Sequence, residues 1–197
     1  MKRQQFETEF ISPVTICDIE IGNNIIDSKG FWNYLNSDII TLGLFSGNKI
    51  TILQREKEDK EEFWKEYLLK ELKNVPAMFC FNTKMEKGSL IGYLNLSRFF
   101  EEIQPFCGKG CNKDNFFNDI LKDNLVPEIF IPKDPLKGDG SKVQGKYEDG
   151  KYEDIILHNK SCLIKEYWIF INKFKILKKY GPNIENGWWV GLMPFGK

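Results

Sequence analysis

The chain has 197 residues and a mass of 23.1 kDa, the size of one α/β domain with appendages. Hydrophobic residues make up 42% and charged residues 28%, which supplies a packed core beneath an ordinary polar surface. No apolar run is long enough to cross a bilayer, MKRQQFETEF lacks the apolar core of a secretory signal, and a net charge of zero gives no global case for a polyanionic partner.

The first predicted element is PVTICDIEIG (13–22), an alternating strand between Pro13 and Gly22. DIITLGLFSGNKITILQ (38–54) reads as two strands joined by a hairpin turn at Ser46-Gly47-Asn48. The acidic stretch EKEDKEE (56–62) leads into an amphipathic helix over 59–76, with Phe63, Trp64, Tyr67, Leu68 and Leu72 on one face. AMFCFN (77–82) has the pattern of a short buried parallel strand. KMEKGSLIGY begins helically, and LNLSRFFEEI (94–103) reads as a strand passing into a helix.

Residues 104–153 are the least orderly, with short helices expected around 114–123 and exposed loops elsewhere. The run from Asp154 to about Tyr180 reads as one long helix ended by Gly181-Pro182, followed by an aromatic tail over 181–197. These elements predict an α/β fold: a mixed sheet, antiparallel over its first three strands and then parallel, flanked by helices. A domain over 1–180 and a tail over 181–197 is the expected organisation.

Five cysteines, at 17, 80, 107, 111 and 162, form no disulfide framework, so reduced thiols in a cytoplasmic protein are expected. CGKGC (107–111) is a poor zinc site, because the single histidine lies 47 residues beyond Cys111 and no second pair is near. GDGSK (138–142) lacks the full spacing of a phosphate-holding loop and reads as a flexible loop. From His158 onward, seven lysines face two glutamates. Lys165, Lys173, Lys175, Lys178 and Lys179 therefore offer charge to a phosphate backbone, and Trp188 and Trp189 offer rings to bases, although solvation and a docked tail explain the same residues. Trp168, Phe170 and Phe174 read as core.

The residues with chemical content lie in three places. In ICDIEIG, Asp18 and Glu20 are two apart and point to one face of a strand. Two carboxylates side by side in an apolar setting repel one another unless a cation joins them, and two divalent ions about 4 Å apart would do so while activating water for attack at phosphorus. After AMFCF, Asn82 is followed four residues on by Glu86. On the last helix, His158 and Cys162 share a face.

In this order and spacing the sequence resembles the DEDD superfamily of 3′–5′ exonucleases, including the proofreading domain of family B DNA polymerases and related predicted exonucleases. TICDIEIG matches the first motif. FNTKME matches the second with Glu86 in the usual aspartate place, and HNKSC aligns with the third, with His158 in the tyrosine place and Cys162 in that of the last aspartate. The likeness runs over about residues 13–175 and implies a ribonuclease H-like fold. It also implies two-metal hydrolysis, with Mg²⁺ or Mn²⁺, at the 3′ end of single-stranded DNA or RNA.

By that resemblance Asp18, Glu20, Glu86 and the residue at 162 hold the metals, while His158 orients or deprotonates the attacking water as a neutral imidazole. Cys162 is the departure with most consequence, since a thiol is poorly matched to Mg²⁺. The missing charge leaves the second ion weakly held, is supplied by Asp154 or Glu166 one turn away, or leaves a nucleic-acid-binding or scaffold protein that no longer hydrolyses. A softer ion such as Mn²⁺ or Zn²⁺ is a further resolution.

Overall fold

The computed structural model describes residues 1–22, 31–75, 77–96, 100–102, 113–127 and 133–175, with only the backbone given at 31–32 and 100–102. Cys107, Cys111, Lys178, Lys179, Trp188, Trp189 and the tail over 181–197 lie outside them. Among the described residues, four strands and six α-helices follow one another as β1 (Lys2–Ile21), α1 (Phe31–Tyr34), β2 (Ile39–Gln54), α2 (Glu61–Leu72), β3 (Met78–Cys80), α3 (Thr83–Leu94), β4 (Phe100–Glu102), α4 (Lys113–Lys122), α5 (Val143–Glu148) and α6 (Tyr152–Ile171).

The sheet order is β2-β1-β3-β4, with β1 antiparallel to β2 and the pairs β1/β3 and β3/β4 parallel. This is the expected mixed sheet, flanked by helices. The antiparallel part differs in detail. Where a hairpin was expected at Ser46-Gly47-Asn48, β2 runs on as one strand and pairs with β1 from Lys2↔Gln54 to Ile21↔Ile39. Gly47 (φ +59°) sits opposite Ser12 at a register shift, so its left-handed backbone makes a bulge rather than a turn. The long ribbon bends there instead of folding back.

Alternation along β1 assigns its two faces. Cys17 and Ile19 pack with Leu42, Leu53, Met78 and Cys80 against Trp64, Leu68 and Leu72 of α2 and Leu90 and Leu94 of α3. In α2 the buried residues recur every four positions, and the Trp64 indole donates to the Ile39 carbonyl at 2.7 Å. Phe63, expected on that face, is 56% exposed, since it falls one position outside the stripe. Asn82 caps α3 by accepting from the Met85 amide, and Asn95 ends it in the left-handed region. The chain between α3 and β4 thus runs helix to strand, the reverse of the order expected for 94–103.

The opposite face of β1 carries Ile16, Asp18 and Glu20, and α6 covers it. Ile16, Phe45, Ile50 and Ile52 pack against Ile156, Leu163, Ile164 and Tyr167. α4 adds Phe116, Phe117 and Ile120 against Ile169 and Phe170, and α5 adds Val143 and Tyr147 beside Tyr152 and Ile155. Helix α6 is covered on several sides, which explains its apolar composition all round. It is interrupted at Asn172, residues 173–175 are again helical with Phe174 60% exposed, and the rest of the expected helix, 176–180, lies outside the described residues. No helix among the described residues is long and apolar enough to cross a membrane.

Close approach of α6 to the sheet depends on Gly43, which pairs with Asp18. A Cβ there would overlap the Asn159 carboxamide and lie 2.7 Å from Leu163 Cδ1. Gly43→Ala is therefore expected to destabilise the protein by about 1–3 kcal/mol, the usual cost of overpacking. Gly145→Ala, in a helix with open space around its Cβ, should instead stabilise by about 0.5–1 kcal/mol. Urea denaturation of both variants checks the contrast.

Candidate active site

Asp18 and Glu20 emerge side by side on the α6 face of β1, where they are 3% and 8% exposed. Asn159 of α6 bridges them: its Nδ2 donates to Asp18 Oδ2 at 2.8 Å and reaches Glu20 Oε1 at 3.4 Å. His158, the preceding residue, turns its ring the other way along the helix. Its Nδ1 lies 2.9 Å from Asp134 Oδ1, and its Nε2 faces Glu20 Oε1 at 3.6 Å and Cys162 Sγ at 3.9 Å. Glu20, His158 and Cys162 each present one donor atom, all within 4.8 Å of one another, close enough to hold a metal ion.

Glu166, two turns beyond His158 on the same face, is fully buried. The Lys113 ammonium, at the start of α4, stands between Glu166 Oε1 at 2.7 Å and Asp18 Oδ1 at 2.9 Å. Glu86 enters from the first turn of α3 and is 1% exposed; it feels the charges of Glu166 and Asp18. Of the two acids one turn from the last motif, Glu166 is thus in the cluster, whereas Asp154 pairs with Lys146 at 2.6 Å away from it. Asp18, Glu20, His158 and Cys162 line a cleft of about 350 Å³ together with Lys113 and Lys165, while Glu86 and Glu166 lie behind that wall.

Electrostatics follow from burial. Glu20 is raised to about 8, by loss of water and then by the Asp18 charge, against the pull of His158 and Lys113. Glu86 and Glu166 are likewise held well above the ordinary carboxylate range, each mainly by burial. Burial also raises the Cys162 thiol, so it keeps its proton at neutral pH. For His158 burial opposes the charge, yet the hydrogen bonds to Asp134 and Cys162 and the nearby Glu20 carry it to about 11. Without a metal ion these partners favour the charged form of the imidazole. A bound cation would reverse that balance.

Three buried oxygens in this cluster, Glu86 Oε2, Glu166 Oε2 and Asn159 Oδ1, have no hydrogen-bond partner among the described residues. Buried acceptors left without donors are rare in folded proteins and concentrate where function demands them.

The structure brings Asp18, Glu20, His158 and Cys162 to one cleft, with Glu86 buried behind it, and adds five residues that sequence reasoning did not place there. Asn159 adjoins the histidine and had no motif of its own. Asp134 and Gly138 belong to the stretch read as a flexible loop; it is a turn in which Asp134 accepts from the Leu136 and Gly138 amides at 2.9 and 2.7 Å. Lys113 carried no signal beyond its place before an amphipathic helix. Lys165, assigned to solvent or a phosphate backbone, is 8% exposed and paired to Asp114 at 2.6 Å.

Removing the Lys113 ammonium would leave Asp18 and Glu166 facing each other without compensation. Lys113→Met is expected to cost about 3–5 kcal/mol near neutral pH, as for other broken buried ion pairs. A carboxyl whose folded pKa lies above its unfolded value of 4.5 favours folding at low pH and loses that contribution as pH rises. The penalty should therefore shrink as pH is lowered toward 4.5. Urea midpoints of the variant and the parent across that range measure it.

No protein-family profile matches the sequence, and no curated protein matches it. Among solved structures the chain is similar to the family B DNA polymerase from the hyperthermophilic archaeon Pyrobaculum calidifontis, with a TM-score of 0.51 at 12% identity. The match covers 83% of this chain and 25% of that one, so the chain spans about a quarter of the polymerase. At this identity the likeness is one of fold.

Proposed function

We propose that the chain is a metal-dependent 3′–5′ exonuclease that hydrolyses phosphodiester bonds at single-stranded ends of DNA or RNA. The observation that carries this reading is the convergence of the first and third motifs on one cleft, through Asp18, Glu20, His158 and Cys162, up to 144 residues apart, with Glu86 of the second motif buried where it feels the Asp18 charge. A fold shared with part of a family B DNA polymerase agrees with it.

The donor set fits one divalent ion rather than the pair that the resemblance implies. On the Glu20 side, a carboxyl, an imidazole and a thiol converge. On the Asp18–Glu166 side, the Lys113 ammonium already supplies positive charge between the two acids. When bound, a divalent ion at the Glu20 side would acidify water and draw charge from a phosphoryl oxygen.

The remaining tasks fall to the chain itself. Asn159 holds Asp18 and Glu20 in fixed orientation. Lys113 lines the cleft and offers an ammonium to a phosphate without the geometric demands of a second ion. Asp134 fixes the His158 ring, so its Nε2 faces the space above Glu20 and Cys162.

A second reading is a nucleic-acid-binding domain that no longer hydrolyses its ligand. Lys113 specifically favours it, because an ammonium wedged between two of the acids can also lock the cluster shut.

A labelled single strand incubated with the protein and Mn²⁺ or Mg²⁺ should shorten from its 3′ end. Asp18→Ala should slow this by at least about 100-fold, the scale of losing a principal electrostatic contributor. Cys162→Asp, which supplies a hard oxygen, should raise the Mg²⁺-supported rate. Shortening that survives Asp18→Ala unchanged would defeat the enzyme reading, and tight strand binding without shortening in any divalent metal would select the second.

A further inference from the structure

We infer that Glu20, His158 and Cys162 form a site for a single thiophilic divalent cation of the zinc and cobalt class, with one coordination position open to the cleft. The inference deepens the reading of this cleft as metal-dependent and rests on that reading for the ion's use. Its binding test is independent of any nuclease assay.

The first argument is geometric. Donors at zinc-ligand distances around a common tetrahedral ion stand about 3.5 Å apart. His158 Nε2 is 3.6 Å from Glu20 Oε1 and 3.9 Å from Cys162 Sγ, so small side-chain movements close the site. The three residues come from two rigid elements, one from β1 and two from adjacent turns of α6, so their mutual placement is a property of the fold.

The second argument is the support behind the histidine. A metal-binding imidazole almost always gives its other nitrogen to a carboxylate or a carbonyl, which fixes the ring and strengthens the ligand. Here His158 Nδ1 is bonded to Asp134 at 2.9 Å. Asp134 is in turn gripped by the Leu136 and Gly138 amides, with Lys165 3.6 Å from its other oxygen. That leaves Nε2 of a 2% exposed ring facing Glu20 at 3.6 Å and the sulfur at 3.9 Å. A buried polar nitrogen held on one side and poorly served on the other is what a ligand awaiting its ion looks like.

The third argument is chemical type. Mg²⁺ favours six hard oxygens, and a set of one oxygen, one nitrogen and one sulfur discriminates against it. Zn²⁺ and Co²⁺ accept this set in tetrahedral form. For an ion to bind, the Cys162 thiol, the Glu20 carboxyl and the His158 imidazolium would each release a proton to solvent, so that the ligands would be a thiolate, a carboxylate and a neutral imidazole. Three protein ligands leave the fourth position for water or a phosphate oxygen on the cleft side, beside Asp18 and Lys113. Asp134 is on this account a positioning residue, touching the ion only through His158.

Co²⁺ titration of the full chain tests this. The expected result is one equivalent bound, with the intense near-ultraviolet band of thiolate-to-cobalt charge transfer, displaced by Zn²⁺ but not by a hundredfold excess of Mg²⁺. Cys162→Ser should abolish the band, and Cys107→Ser/Cys111→Ser should retain it. Asp134→Asn should keep the band while weakening affinity about 10–100-fold, the usual effect of losing the partner behind a ligating histidine. A band that survives Cys162→Ser, or vanishes in the Cys107/Cys111 variant, or an affinity untouched by Asp134→Asn, would overturn the inference. Nuclease activity with Mg²⁺ but no cobalt band would defeat it while leaving the exonuclease reading intact. A cobalt site without nuclease activity in any metal would do the converse.

Discussion

The constraint on which this fold turns is the burial of four carboxyl groups, Asp18 and Glu20 on β1, Glu86 on α3 and Glu166 on α6. Carboxylates removed from water must be neutralised, hydrogen-bonded or protonated, and this protein uses all three remedies. Lys113 joins Asp18 to Glu166, Asn159 ties Asp18 to Glu20, and burial pushes the Glu86 carboxyl toward its protonated form. Each remedy requires a particular placement of an element. Helix α6 must come within reach of β1, which Gly43 permits. Helix α4 must dock through Phe116, Phe117 and Ile120 so that its first residue meets the acids. The apolar packing is therefore arranged around a polar centre that would be costly in isolation.

That centre has two halves with different prospects. Around Asp18, Lys113 and Glu166, charges are already matched, and the arrangement is structural as it stands. Around Glu20, His158 and Cys162, contacts are long and the donors converge on space at the cleft wall. Asn159 links the halves by touching both acids of β1, so a change in ligation at Glu20 would be felt at Asp18. The same β1 alternation that sends Cys17 and Ile19 into the helix-packed core supplies both acids to the other face. One strand thus carries the core on one side and the chemistry on the other.

How much of this could be read from sequence depends on the range of each contact. Asp18 with Glu20, and His158 with Cys162, are local pairs whose common orientation follows from periods of 2.0 and 3.6, and both were legible. Glu86 was legible because Asn82 caps the helix that presents it. The expected hairpin failed because Ser46-Gly47-Asn48 has turn composition, but β1 extends to Lys2 and offers β2 a longer partner than its own return strand would. Tertiary pairing overrode local propensity. Lys113 and Asp134 were not legible at all. They are 95 and 24 residues from Asp18 and His158, in stretches without periodicity, and nothing local distinguishes them from surface charges.

The cysteine at 162 is best understood together with Glu166. Both lie on the face of α6 that begins at His158, at steps of four residues, so the acidic function that the resemblance places at 162 has a counterpart one turn on. With Glu166 buried beside Asp18 and only Lys113 between them, a carboxylate at 162 would add a further negative charge to a cluster in which Glu20 already retains its proton up to about 8. A neutral thiol avoids that repulsion in the metal-free protein, yet it becomes anionic when a thiophilic ion arrives. The substitution that looks like decay by comparison with the hard-metal pattern is thus consistent with the charge balance of this particular site. Glu166, one turn on, is held by Lys113.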